Sequence, residues 1–248
     1  MQSSNKPIRD WKKILIDTSI ICSLFRFQHP NINNTSDAFV SKLIDYLSQS
    51  KASDRSERVF LITTITLTEL LTKEQDQDKI KLISRVLNSN NVRFISFDTT
   101  TSLAFNHLLK PYLDKTNLHA KAAEIGFKTG EYMMAREWIT RDYMIALNGV
   151  IKEADAILTL DKNTFYPVIK DVPDANCILT YPELFRFSES HFFDYDYANV
   201  DNYIKRISFK TLNQFDAENP KNATQGELFA EDLSDSNTKA LDVEEDPL

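Results

Sequence analysis

With 248 residues, 42% of them hydrophobic, and a mean hydropathy of −0.36, the chain can bury a full globular core, and no apolar run approaches the roughly 20 residues that span a bilayer. Its two cysteines, Cys22 and Cys177, lie in apolar segments and read as small buried hydrophobes, which excludes a disulfide framework or a thiolate metal site. The net charge of −7 comes from Lys210 to Leu248, where ten acids face three lysines, so the body is formally neutral and the acidic balance does not exclude a polyanionic substrate.

Met1 to Lys13 is polar and mixed in charge, unlike a signal peptide, and a cytoplasmic protein is expected. Ile14-Leu15-Ile16 reads as a strand buried on both faces, stopping at Asp17-Thr18-Ser19. A short helix is expected over 18–25, a loop over 26–34, and a helix over 35–50 with Phe39, Leu43, Ile44 and Leu47 on one face. Val59 to Thr64 is a second strand, and Thr66-x-x-Glu69 has the form of a capping box opening the next helix. Helical spacing continues over about 77–88, and Val92 to Phe97 is a third strand, followed by Asp98 as a helix N-cap.

The stretch 100–138 reads as an enlarged helical region with breaks near Lys110-Pro111 and Gly126 to Gly130. Asp142 then reads as the start of a helix carrying Ile145, Ala146, Gly149 and Val150 at i+3, i+4, i+7 and i+8. Asp155 reads as a surface residue, Ala156 to Leu160 as a fourth strand ending on Asp161, and Asn176 to Thr180 as a fifth strand, with a closing helix from Pro182. Strands alternating with helices define an α/β class, a three-layer α/β/α sandwich on a mainly parallel five-stranded sheet. The organisation expected is a catalytic domain over 1–187, an aromatic and helical extension over 188–211, and an acidic tail over 212–248 too polar to fold by itself. Leu228, Phe229 and Leu233 are the tail's apolar patch; the tail is a solvated spacer first, and a partner-docking segment or nucleic-acid mimic second.

Asp17, Glu69, Asp142 and Asp161 fall at comparable places, near the carboxyl ends of parallel strands where open α/β sheets bind ligands. Two unit charges about 5 Å apart at an effective dielectric near 20 repel by roughly 3 kcal/mol, so such a cluster holds protons or binds hard cations. Each acid alone has a bland reading as a cap or Asx turn. Arg141 and Lys162 flank two of the acids as candidate phosphate contacts, and Tyr143 as a candidate base platform, though ordinary surface is the commoner role.

The segments Ile-Leu-Ile-Asp17-Thr-Ser, Thr-Thr-Ile-Thr-Leu-Thr-Glu69-Leu-Leu, Asp142-Tyr-Met-Ile-Ala and Ala-Ile-Leu-Thr-Leu-Asp161-Lys-Asn-Thr-Phe together resemble the PIN-domain nuclease family, in order over about 14–187. The resemblance implies a sheet of order 3-2-1-4-5 and a nuclease hydrolysing RNA or single-stranded nucleic acid to 5′-phosphate and 3′-hydroxyl ends. It implies Mg²⁺ or Mn²⁺ held by Asp17, Glu69, Asp142 and Asp161, with Ser19 supporting the metal site. Nucleic acid, RNA before DNA, is the expected partner; a homodimer or a protein docking on 188–248 comes second, and no membrane is expected. The alternative is a PIN-fold binding or regulatory module with little turnover. The enlarged 100–138 region, aromatic extension and tail depart from the compact toxins of the family. A haloacid-dehalogenase-type phosphohydrolase expects an acid where Ser19 stands, and a receiver domain expects paired acids after strand one and a lysine after strand five; neither is present.

Overall fold

The computed structural model describes residues 6–27, 34–73, 80–81, 91–187 and 192–211. Contacts divide the chain into two units, Met1–Asp201 and Asn202–Leu248. The first is built on five parallel strands, β1 (Lys13–Ile16), β2 (Val59–Thr63), β3 (Val92–Ile95), β4 (Ala156–Thr159) and β5 (Cys177–Leu179), in the order β3-β2-β1-β4-β5. This is the architecture and order expected from the sequence. The helices are α1 (Thr18–Phe27), α2 (Thr35–Gln49), α3 (Thr64–Lys73), α4 (Thr99–Leu109), α5 (Lys115–Glu124), α6 (Tyr132–Ile151), α7 (Phe165–Ile169) and α8 (Tyr197–Thr211).

Alternation along the strands divides the core. Leu15 stands opposite Leu61 and Ile157, and Ile157 opposite Cys177, so these four share one face of the sheet. They pack with Ile139, Tyr143, Ala146 and Leu147 of α6 and with Leu118 and Ala122 of α5. Ile14, Ile16, Phe60, Ile62, Leu158 and Ile178 are buried on the opposite face by the same period. Burying each such side chain contributes about 1.5–3 kcal/mol, which explains the near-continuous apolar runs. Gly149 lets α6 come close to β1, since a Cβ there would lie 3.0 Å from Leu15 Cδ2.

Several local expectations are corrected. Asp142 does not open a helix; it sits inside the twenty-residue α6. Ala135, Ile139, Tyr143 and Ala146 carry one buried stripe through it, and no proline or glycine interrupts the helix before Gly149. Thr66 is not an N-cap either: α3 starts at Thr64, and the Thr66 amide donates to Thr63 Oγ1 at 3.0 Å, which frees Glu69 from capping. Pro182 opens only a three-residue 3₁₀ turn, after which Phe185–Phe187 (β6) pairs antiparallel with Phe192–Tyr195 (β7). Helix returns only at Tyr197, so the aromatic stretch begins as a hairpin. In the second unit, the Arg206 guanidinium lies 5.6 Å from the centroid of the Tyr203 ring. The expectations for 212–248, and most of those for 26–34 and 77–88, fall outside the described residues.

Asp155 is not idle surface. Its Oδ2 accepts the Lys12 amide at 2.7 Å and the Lys13 amide at 2.9 Å, and its Oδ1 accepts from Lys6 Nζ. It therefore pins the lead-in to the start of β4. Asp155→Ala should cost about 2–3 kcal/mol by stranding both amides. Urea unfolding measures it; a cost below about 0.5 kcal/mol, the usual effect of a surface change, would deny Asp155 this role.

Candidate active site

The strand order reverses at β1, which has β2 on one side and β4 on the other. Ligands of open α/β sheets bind at such a switch point, outside the carboxyl ends of the strands. Asp17 follows β1 directly and Asp161 stands two residues past β4. Glu69 comes from the second turn of α3 and Asp142 from the middle of α6, so four separate elements supply the four acids.

Asp17 is 4% exposed, and its hydrogen bonds are one-sided. Its Oδ2 accepts from Ser19 Oγ at 2.7 Å, Thr159 Oγ1 at 2.9 Å and, more weakly, the Ser19 amide at 3.3 Å. Each hydroxyl spends its single proton on Asp17 and offers a lone pair elsewhere: Ser19 Oγ accepts the Leu160 amide at 2.9 Å, and Thr159 Oγ1 the Asp161 amide at 3.0 Å. The 3.2 Å contact between those two oxygens is then no hydrogen bond of its own. Among the described residues Asp17 Oδ1 receives no donor, and the Asp142 carboxyl has no hydrogen-bond or ion-pair partner.

Burial pushes the Asp17 carboxyl up to about 6; the charges of Asp161 and Glu69 act the same way, and the Ser19 and Thr159 hydroxyls oppose them. Asp142 keeps part of its surface exposed, yet burial of its carboxyl, followed by the charges of Asp161, Asp17 and Glu69, raises it well above the ordinary carboxylate range despite Arg141. The four acids thus lie within one another's fields.

They do not converge, however: among the described residues no group of three or more His, Cys, Asp or Glu side chains is arranged to hold a metal ion. Two of the acids are drawn aside. Glu69 accepts from Thr18 Oγ1 and, at 3.2 Å, from Arg141 Nη1. Asp161 Oδ1 takes the amides of Asn163 at 2.9 Å and Thr164 at 2.7 Å, the Asx turn expected of it, and its Oδ2 accepts from the Thr164 hydroxyl. The donor set still fits a hard divalent cation: four carboxylates, two of them with unpartnered oxygen, where burial and mutual repulsion penalise negative charge that nothing nearby offsets in full.

The other candidates sort plainly. Asp98 is an N-cap, its Oδ1 accepting the Thr101 amide at 2.8 Å, and the Thr101 hydrogen bonds hold it below the usual range. Tyr143 is 2% exposed and packs 5.9 Å from the Tyr112 ring, so it offers no face to a base. Arg141 is engaged with Glu69, and Lys162 lies 5.5 Å from the centroid of the Tyr181 ring. Thr18 and Thr159 were not singled out from the sequence. Thr159 carried one signal, a hydroxyl two residues before an acid at a strand end.

The fold is a parallel α/β/α sandwich with four acids near its switch point. No family model matches the chain, and no curated protein matches it. Among solved structures it is similar to the crystal structure of VapBC2 from Rickettsia felis bound to a DNA fragment from their promoter, with 14% identity, 66% of this chain and 96% of that chain covered, and a TM-score of 0.38. At that score the likeness adds nothing to the geometry above.

Proposed function

We propose that this protein is a divalent-metal-dependent nuclease that hydrolyses phosphodiester bonds of single-stranded nucleic acid, RNA before DNA. One observation carries the reading: four separate elements place four acids near the sheet's switch point, within one another's fields, and Asp17 Oδ1 and the Asp142 carboxyl lack partners among the described residues. The ordered resemblance of their segments to PIN-domain nucleases supports it.

Asp17, Asp142 and Asp161 would hold Mg²⁺ or Mn²⁺, with Glu69 as a further ligand or an acceptor for water. A bound ion of this kind supplies a Lewis acid that makes water nucleophilic near neutral pH and a counter-charge for the phosphate. The chain's own residues do the positioning. Ser19 and Thr159 fix the Asp17 carboxylate by its Oδ2, so that Oδ1 faces the site. Thr18 holds Glu69, and Arg141, released from Glu69, is able to take a phosphate oxygen.

The reading is tested with end-labelled single-stranded RNA and DNA incubated with the purified protein in Mn²⁺, Mg²⁺ or EDTA. Cleavage should require metal and favour RNA. No cleavage of either strand by a protein that binds Mn²⁺ would leave the binding module in its place, a role the engagement of Glu69 and Asp161 already favours. Thr159→Val should lower the cleavage rate about 10- to 100-fold with the fold intact, because Asp17 loses a donor and the Asp161 amide an acceptor. An unchanged rate would remove Thr159 from the machinery.

A further inference from the structure

Beside the acids, α3 and α6 border an open groove of about 570 Å³, lined by Ile65, Met133, Arg136, Thr140, Arg141 and Met144, with Glu137 at its side. We propose that this groove seats the substrate strand next to the scissile phosphate, Arg136 binding a phosphate while Met133, Met144 and Ile65 face a base. The proposal rests on the nuclease reading and names where its substrate runs.

Continuity is the first argument. Ile65 and Glu69 stand on successive turns of α3, and Arg141 precedes Asp142 on α6, so the groove starts where the acids end. Arg141 belongs to both, lining the groove while donating to Glu69 Oε1 at 3.2 Å. A strand held at the acids would pass directly into it. Most of its wall comes from α6, and Met133, Arg136 and Glu137 there belong to the enlarged 100–138 region.

Charge and surface chemistry agree. Arg136 and Arg141 line it with one carboxylate, Glu137, beside Met133, Met144 and Ile65, and with Arg141 paired to Glu69 it is Arg136 that is left to a phosphate. Arg136 has no ion-pair partner among the described residues. Met133 is 62% exposed and shares the groove with the half-buried Met144 and Ile65, so the three present an apolar strip to solvent. Thioether sulfur is polarizable and packs well on aromatic rings, a contact open to the ring of any base.

The experiment measures binding, independent of cleavage. Full-length protein carrying Asp17→Asn is titrated with a short fluorescein-labelled oligouridylate in Mn²⁺, and anisotropy is followed across KCl concentrations. Adding Arg136→Ala should weaken binding about tenfold at low salt and reduce the salt slope by about 0.7, the share of one phosphate contact on a single strand. Glu137→Gln should tighten it about twofold, a gain that misfolding cannot produce. Lys51→Ala, on an exposed residue just after α2 and before β2, should change nothing. A loss with Arg136→Ala no larger than with Lys51→Ala overturns the groove, as does a dimer that Met133→Ser dissociates, which would assign the face to a second copy. Cleavage by the wild type with Arg136-independent binding removes the groove and keeps the nuclease. Arg136-dependent binding without wild-type cleavage keeps the groove and removes the nuclease. No binding of the strand removes the groove, and together with no wild-type cleavage it removes both.

Discussion

Asp17→Asn is expected to lose metal-dependent cleavage by at least about a thousandfold while making the metal-free protein more stable at pH 7.5. The two effects share one cause. Asp17 is 4% exposed and burial pushes its carboxyl up to about 6, so the ionised form is held in the fold against its own preference. Asparagine keeps an acceptor for Ser19 and Thr159 and removes the charge. Losing a buried, uncompensated charge should raise the melting temperature by several degrees for a chain of this size. A merely structural Asp17 would behave in the opposite way, since its substitution would lower stability and reduce activity only in proportion. Wild-type cleavage by Asp17→Asn would withdraw the residue from the site.

The second expected result is a stability profile that runs against the usual trend of acidic proteins, and its reversal by metal. The folded pKa of Asp17, about 6, lies above its ordinary value of 3.8, so between those values the folded state binds more protons than the unfolded one. Stability of the metal-free protein therefore falls as pH rises through that window, by about 3 kcal/mol from Asp17 alone. Asp142, raised for the same reasons, acts in the same direction. Acids held low by partners, such as Asp98 and Asp155, lose their contribution only at lower pH, so the window from pH 5 to pH 7.5 isolates the site and holds about 1.4 kcal/mol of the Asp17 effect. A saturating divalent ion should cancel the penalty. At a hundred times its dissociation constant it adds about 2.7 kcal/mol, and more at pH 7.5 than at pH 5 because protons compete for the same oxygens. Thermal unfolding in EDTA and in Mn²⁺ at the two pH values reads both effects. A metal-free protein more stable at pH 7.5 than at pH 5, with no response to Mn²⁺, would contradict this electrostatic account.

What could be read from the sequence follows from how local each signal is. Asp17 stood out because an apolar strand stops abruptly on an acid, and Asp98 because Asp-Thr-Thr before helical spacing is a cap; both signals lie within a few residues. The strand order needed more, and came from the family resemblance. Thr159 was not legible as a partner of Asp17, because that hydrogen bond exists only once β4 lies beside β1, a pairing across 142 positions. The Arg141–Glu69 pair is hidden for the same reason, across 72 positions. Asp142 was placed at a helix start because Arg-Asp before an apolar stripe imitates an N-terminus; the same stripe continues upstream through Ala135 and Ile139 and makes it a mid-helix residue. That difference matters for function, since a mid-helix carboxylate cannot be explained by capping. The antiparallel pair Phe185–Phe187 and Phe192–Tyr195 was missed because the aromatic extension was read as one helix, although Phe185-Arg186-Phe187 alternates with a period of two.

The claim on which the rest depends is that these acids form one cation site. Isothermal titration of Mn²⁺ into the metal-free full-length protein at pH 7.5, beside Asp142→Asn, tests it most directly. Saturable binding in the wild type, weakened at least about tenfold in the variant, is the result predicted. No binding by the wild type, or binding that Asp142→Asn leaves unchanged, would contradict it.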